Sequence, residues 1–227
     1  DGRWSESRKS EIIRSRTVSG QLLHRMTVGT GKIPSVFITA SGVNYYGSEN
    51  SERIFTEPDP PAGDFLGETC RLWEATADLF TGAGVRVVKL RTAVVLARSG
   101  SALNRMTAPA RAGLIVRFAP GDQYFPWIHI ADLCSIYHKA LTDSTMSGPF
   151  NAVAPHHVTH DQVMGEVARL KRLPVFLPRL PAWLLRVVLG EMAVILTTGS
   201  RISSDHLSST GYRFRYPDIS SALRACL

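Results

Sequence analysis

The chain has 227 residues, with 26 Lys and Arg against 19 Asp and Glu (formal net charge +7), and 44% hydrophobic residues against 20% charged. These proportions exclude a disordered chain, a collagen and a simple coiled coil; a chain of this length buries roughly 70% of its surface. Arg supplies 21 of the 26 basic residues, scattered with no basic run, so the charge points to a solvated surface and small phosphate-bearing ligands rather than to nucleic acid.

In chain order, residues 9–26 carry Ile12, Ile13, Leu22, Leu23 and Met26 at helical spacing and predict a helix with one buried face. Residues 34–41 (PSVFITAS) form a short apolar run closed by Gly42, which predicts a buried parallel strand. Residues 63–84 predict a helix with Phe65, Leu66, Cys70, Trp73 and Ala77 on one side and a glycine-rich stop. Residues 85–96 (VRVVKLRTAVVL) predict one long strand. Residues 127–141 predict a strand turning into a helix that Asp132 could cap, and residues 149–155 another strand. Thr159 and Gln162 have capping-box spacing ahead of a helix ending near Arg172.

The alternation of strand and helix predicts a doubly wound parallel α/β domain over residues 1–173. Pro174, Pro178 and Pro181 then introduce a small, mainly helical part, residues 174–227. Residues 182–196 are apolar but interrupted by Arg186 and Glu191, and too short to span a bilayer comfortably; the polar opening DGRWSESRKSE is no signal peptide. Cys70, Cys134 and Cys226 are odd in number and far apart, which suits neither a disulfide framework nor a zinc knuckle. A reducing, cytoplasmic compartment is expected.

The first strand ends in TASGVNYYG, and an open α/β sheet takes ligands at the carboxyl ends of its strands. Thr39, Ser41, Tyr45 and Tyr46 would then present hydroxyls to the crevice; the alternative is one tyrosine in the core and one on the surface. His156, His157 and His160 with Asp161 lie on a loop and a helix start, where capping and solvation explain them better than a metal. His129 and Asp132 in WIHIADL suit a buried histidine hydrogen bond and a helix N-cap.

The ordered set YYG, GDFL, CRLWE, VRVVKLRTAVVL, PWIHIADL, GPFNAVAP and PAWLLR with LGEMA resembles the extended short-chain dehydrogenase/reductase superfamily. Within it, the chain is similar to the atypical epimerase family of NAD(P)-dependent nucleotide-sugar epimerases, over essentially all of its length. The resemblance implies a Rossmann-like sheet with a small C-terminal domain, NADP or NAD as cofactor, and a nucleotide sugar or similar small polar substrate. A homodimer is compatible with it; a metal, a membrane and nucleic acid are not expected. By similarity, Glu11 and Arg16 of the RWSESRKSEIIRSR helix approach the nicotinamide nucleotide, together with Thr39 and Ser41. From the sequence alone, Arg16 is equally an exposed helix arginine. Arg91, Val94 and Val95 would bring the LRTAVVL backbone against the nicotinamide. Ser41 and Tyr46 become the catalytic candidates, polarising the substrate oxygen, while Tyr45, Gln123, Tyr124 and Trp127 are the candidates for substrate contact.

Two features depart from the superfamily. None of the six tyrosines has a Lys four residues on, and where that pair should fall the chain has Leu66 and Cys70. The standard mechanism, in which the Lys lowers the phenol's pKa, is therefore missing, and a non-catalytic nucleotide-binding or sensing protein stands as the alternative. The glycine pair Gly29-Thr30-Gly31 lacks a third glycine and follows a helix instead of a strand. The chain is thus expected to be an N-terminally shortened piece with an open sheet edge, binding NAD(P) at least about a hundredfold more weakly than a longer form.

Overall fold

The computed structural model describes residues 3–175 and 179–227, so Pro178 lies outside the described residues. In chain order come α1 (Glu6–Gly29), β1 (Val36–Gly42), a 3₁₀ turn (Val43–Tyr46), β2 (Ser51–Phe55), α2 (Phe65–Thr81), β3 (Arg86–Thr92) and β4 (Val94–Leu96). Next are α3 (Ala102–Met106), β5 (Trp127–His129), α4 (Ile130–Thr142), β6 (Gly148–Ala152) and α5 (His160–Lys171). The chain closes with α6 (Ala182–Leu189), α7 (Val194–Thr197), β7 (Ser200–Ile202), α8 (Asp205–Ser209) and α9 (Ile219–Cys226).

The strands order as β1-β3-β6, β4-β5 and β2-β7, and every pairing between them is parallel. Ile38 faces Val88 and Ala40 faces Leu90 across β1 and β3, as the two apolar runs joined by a helical crossover predict. Val88, Leu90, Ile128, Ile136, Met146 and Phe150 form the centre of the core beneath α4.

Three expectations need correction. The run 85–96 is not one strand. Ala93 N–H donates to the Ala152 carbonyl at 3.2 Å, but Val94 N–H donates to Pro126 at 3.1 Å, so the chain changes partner from β6 to β5 within one residue. Asp132 is not the cap of α4; His129 is, its Nδ1 accepting from Ala131 N–H at 3.1 Å. Asp132, 1% exposed, instead accepts from Arg215 N–H (2.7 Å), Tyr216 N–H (3.0 Å) and the Tyr212 hydroxyl (3.0 Å), tying the C-terminal segment to the first turn of α4.

The buried line of α1 is also not the apolar one, because Leu22, Leu23 and Met26 are 47%, 52% and 60% exposed. The face turned to α2 carries Arg16, Gly20 and His24 at four-residue steps: Arg16 lies over the Trp73 ring and His24 meets Phe80 edge-on. Gly20 is buried there, and a Cβ on it would overlap the Thr76 hydroxyl, so the glycine lets the two helices close.

The C-terminal part is stitched into the rest of the molecule. β7 pairs with β2, Ser203 N–H donates to the Phe55 carbonyl at 2.8 Å, and Ala222, Leu223 and Cys226 of α9 share a core with Val163 and Val167 of α5. The expected capping box at Thr159 and Gln162 is present. All three cysteines are free. Among the described residues no helix is long and apolar enough to cross a membrane, and no group of acidic, His or Cys side chains is placed to hold a metal ion.

Candidate active site

Ser41, Arg91 and Asn151 stand in register across β1, β3 and β6 at their carboxyl ends. Arg91, 3% exposed, donates through Nε and Nη2 to the two carboxylate oxygens of Glu74 on α2, at 2.9 and 3.0 Å. Its Nη1 donates to the Tyr46 hydroxyl (2.9 Å) and the Glu57 carbonyl (3.0 Å), and the guanidinium lies 3.5 Å from the centre of the Tyr45 ring. Ser41 Oγ donates to Glu74 at 2.8 Å, and the Tyr46 hydroxyl donates to Asn151 Oδ1 at 2.7 Å. Asn151 N–H in turn donates to the Glu57 carboxylate at 2.8 Å.

The electrostatics follow from this enclosure. Burial opposes the Arg91 charge, but its bonds to Glu74 and Tyr46 outweigh that and raise its pKa. Burial pushes the Tyr46 phenol up to about 12 in spite of Arg91 beside it, and pushes the Cys70 thiol up to about 11. Burial likewise raises Tyr45. None of these groups is tuned toward neutrality.

The expectation that Ser41 and Tyr46 open onto the crevice is not how the structure arranges them. Both are 4% exposed, and both hydroxyls are committed to the network. A buried charge pair draws in every nearby polar group that can complete its hydrogen bonds, because leaving those bonds unmade is costly. Thr39 is buried as well, its hydroxyl against the Ala40 carbonyl.

Two cavities take in other residues of the predicted set. One, of about 570 Å³, lies at the ends of β3 and β4, with Asn44, Thr92, Val94, Val95, Ser99 and Ser101 in its walls. Val94 and Val95 therefore stand at a strand-end cavity. The Asn44 side chain has no hydrogen-bond partner among the described residues. The second, of about 290 Å³, is polar, with Asn50, Ser51, Glu52, Asp122, Gln123 and Tyr124 around it. Tyr124 donates to Glu52 at 2.8 Å beneath the Arg201 guanidinium. Gln123 is held between Gly121 N–H (2.6 Å) and the Leu196 carbonyl (2.8 Å).

The other predicted residues lie elsewhere. Trp127 is a core residue, 1% exposed, with its indole N–H on the His156 carbonyl. Glu11 is exposed beside Arg8 in an open groove along α1, and Arg16 donates to the Ile12 carbonyl of its own helix. His157 pairs with the Ile202 carbonyl, while His160 is 2% exposed with neither ring nitrogen bonded; burial lowers its pKa to about 4 and keeps it neutral.

Sequence reasoning missed Glu74, Glu57, Asn151 and Asn44. The available signal was a single charge at an inward position of an otherwise apolar element, as Glu74 is in CRLWEATA.

Comparison with known proteins adds to this geometry. Residues 180–226 match a domain family described as a domain of unknown function (DUF1731). The epimerase family protein SDR39U1 of Mus musculus is 35% identical over 226 residues, covering 98% of this chain and 75% of the relative. The epimerase family protein YfhF of Bacillus subtilis is 33% identical over 223 residues, covering 98% and 73%. The crystal structure of human SDR39U1 (isoform2) with NADPH superposes with a TM-score of 0.92 at 31% identity, covering 99% of this chain and 76% of that one. A nucleoside-diphosphate sugar epimerase from Corynebacterium glutamicum gives a TM-score of 0.77 at 29% identity, covering 100% and 44%. The parallel sheets, the row of strand ends and these likenesses together establish a Rossmann-like fold, and the chain belongs to the epimerase family that includes SDR39U1 and YfhF.

Proposed function

We propose that this chain is an NAD(P)-dependent epimerase or oxidoreductase-like protein whose cofactor ring lies against Val94 and Val95 at the ends of β3 and β4. One observation carries this reading: the 570 Å³ cavity opens where the chain leaves β6 for β5, at the carboxyl ends of parallel strands. Its walls fit a flat carboxamide-bearing ring. The two valines offer an apolar face, and the unpartnered Asn44 amide can both donate to and accept from a carboxamide. The NADPH in human SDR39U1 supports NADP, with NAD as the other member of the class.

When bound, the cofactor takes up and returns a hydride. The chain's own residues bind and align. Glu11 offers an acceptor for ribose hydroxyls in a groove edged by Ser7, Ser10, Ser15 and Ser19, and Arg16, on the α1 face turned to Trp73, a fork for phosphate. Thr39, Ser41 and Tyr46 act as positioning residues, the last two through Glu74 and Arg91, and Tyr45 packs on the Arg91 guanidinium. The polar 290 Å³ cavity, with Tyr124 and Gln123, suits a hydroxyl-rich substrate. The name of the 29% identical Corynebacterium protein supports a nucleotide sugar.

A non-catalytic, cofactor-sensing protein is the second reading. It is favoured by the state of the two candidate groups, since burial holds the Tyr46 phenol at about 12 and the Cys70 thiol at about 11. NADPH fluorescence titration tests the shared part. Val95→Trp, which fills the cavity, and Asn44→Ala should each weaken binding by about tenfold, roughly 1.4 kcal/mol; wild-type affinity in both variants removes the site. Incubation with nucleotide sugars and oxidised cofactor, followed by NMR, then separates the readings: epimerised product supports the enzyme, and binding without product supports the sensor.

A further inference from the structure

A cavity of about 480 Å³ lies where the lead-in to α1, the first turn of α2 and the C-terminal helices meet, with Trp4, Phe65, Leu66 and Val194 as apolar walls. Leu66 is one of the two residues that stand where the superfamily has its proton-transfer pair. Leu66, Cys70 and Glu74 follow at four-residue steps along α2, so one helix face runs from this chamber to the strand ends. At Cys70 that face meets the end of β1. A Cβ on Gly42 would lie 3.5 Å from the Cys70 sulfur and 3.8 Å from the Asn44 side-chain oxygen, and Asn44 lines the 570 Å³ cavity. The chamber thus adjoins the proposed cofactor site across Cys70 and Gly42.

The charges around the chamber cancel. Lys9 is shared between Glu191 at 2.7 Å and Glu6 at 3.1 Å, and it sits 5.6 Å over the Phe65 ring. Asp64, which caps α2 through Gly67 N–H, stands against Arg186 in the lining. Arg3 is spent on the Val187 and Val188 carbonyls, at the negative end of α6. Acids and bases are therefore matched in number, and the one guanidinium in excess of Asp64 and the Lys9 group is turned to a helix end. A diphosphate or a carboxylate enclosed here would find no uncancelled positive charge, and an enclosed anion without one is costly. The aromatic and aliphatic walls, with Trp4 edge-on to Phe65 at 5.0 Å, reward an apolar body instead.

We infer that this chamber is the substrate end of the site and that it holds the apolar body of an uncharged ketone or alcohol. The inference rests on the cofactor reading above and narrows its substrate, so that a nucleotide sugar becomes one outcome of the test.

The test is a fluorescence titration of the whole chain with prodan, an uncharged naphthyl ketone, displaced by decanone, by decanoate or by UDP-glucose. Decanone should displace the dye at a concentration at least about tenfold below either anion. Glu191→Gln, which leaves one positive charge unmatched, should narrow the gap between decanone and decanoate at least about threefold. Val194→Trp should remove dye binding by filling the chamber. Displacement by decanoate or UDP-glucose as effective as by decanone overturns the inference. So does dye binding that survives in Val194→Trp, because Trp183 and Val187, 66% and 61% exposed on α6, are then the surface the dye has found. Saturating NADP⁺ should change the affinity for prodan at least about threefold, and no change in a chain that binds NADP⁺ overturns the assignment of the chamber to the substrate. A chain that binds no NADP⁺ removes the cofactor reading, while the displacement series still decides the class of ligand. Should Val194→Trp not fold, the Glu191→Gln comparison, a change of an exposed side chain, decides with the wild-type series.

Discussion

Glu74 of α2 and Arg91 of β3 form a two-pronged ion pair inside the molecule, at 2.9 and 3.0 Å, with side chains only 6% and 3% exposed. It joins the helix to the strand ends and holds the Ser41, Tyr46 and Glu57 groups around it. Breaking one side leaves a buried charge without its partner. Arg91→Met or Glu74→Gln should therefore cost about 3–5 kcal/mol in urea unfolding. The double change Glu74→Leu with Arg91→Met should recover part of that loss, since no uncompensated charge remains. Single variants within about 1 kcal/mol of wild type would show that the pair carries little.

Ser41→Ala and Tyr46→Phe remove one hydrogen bond each to this pair, and each should cost about 1–2 kcal/mol. With its phenol at about 12, Tyr46 stays protonated through the neutral range. Tyr46→Phe should therefore leave the pH profile of NADPH binding between about pH 6 and 9 unchanged in shape. A profile that loses a titration step in this variant would return Tyr46 to acid–base work.

Asp132 decides how the C-terminal segment is held. Its carboxylate takes two backbone N–H groups and a tyrosine hydroxyl from residues 212–216. Asp132→Ala strands those donors and should cost about 2–4 kcal/mol, with faster proteolysis within residues 211–217. Asp132→Asn keeps one acceptor and should lose less. Proteolysis unchanged from wild type in Asp132→Ala would mean that packing alone holds the segment.

The legible part of the fold was what local pattern determines. Two apolar runs separated by a helix predicted the parallel β1 and β3, and the Thr159 capping box was visible as a spacing. The partner switch at Ala93 was not, because LRTAVVL is equally strand-like on both sides of it and the change depends on where β5 and β6 arrive. β2 and β7 are short and polar (SERIF and SRI), and acquire their pairing from the C-terminal part folding back. In α1 the apolar pattern misled, since closeness at Gly20 outweighed burial of Leu22 and Leu23. Val94 and Val95, which the family resemblance singled out, line the strand-end cavity, whereas Glu74 and Asn151 needed the register that brings helix and strand ends level.

His160 offers a prediction with a defined sign. Its ring is 2% exposed beside Phe118, and neither nitrogen finds a partner. Burial, opposed by Asp161 and aided by Arg117, lowers its pKa from 6.5 to about 4. The native state therefore refuses a proton that the unfolded chain accepts once the pH falls below about 6.5, so stability rises with pH between about 4 and 6.5. At pH 5 the two values give a loss of about 2 kcal/mol relative to pH 7. His129, also lowered chiefly by burial, acts with the same sign, so the difference between wild type and His160→Leu isolates the one ring. His160→Leu removes no hydrogen bond and should be no less stable than wild type at pH 7. At pH 5 it should be the more stable of the two by about 2 kcal/mol, measured by urea unfolding at each pH. Equal pH dependence in both proteins would mean that His160 takes up its proton in the folded state, with solvent reaching the ring.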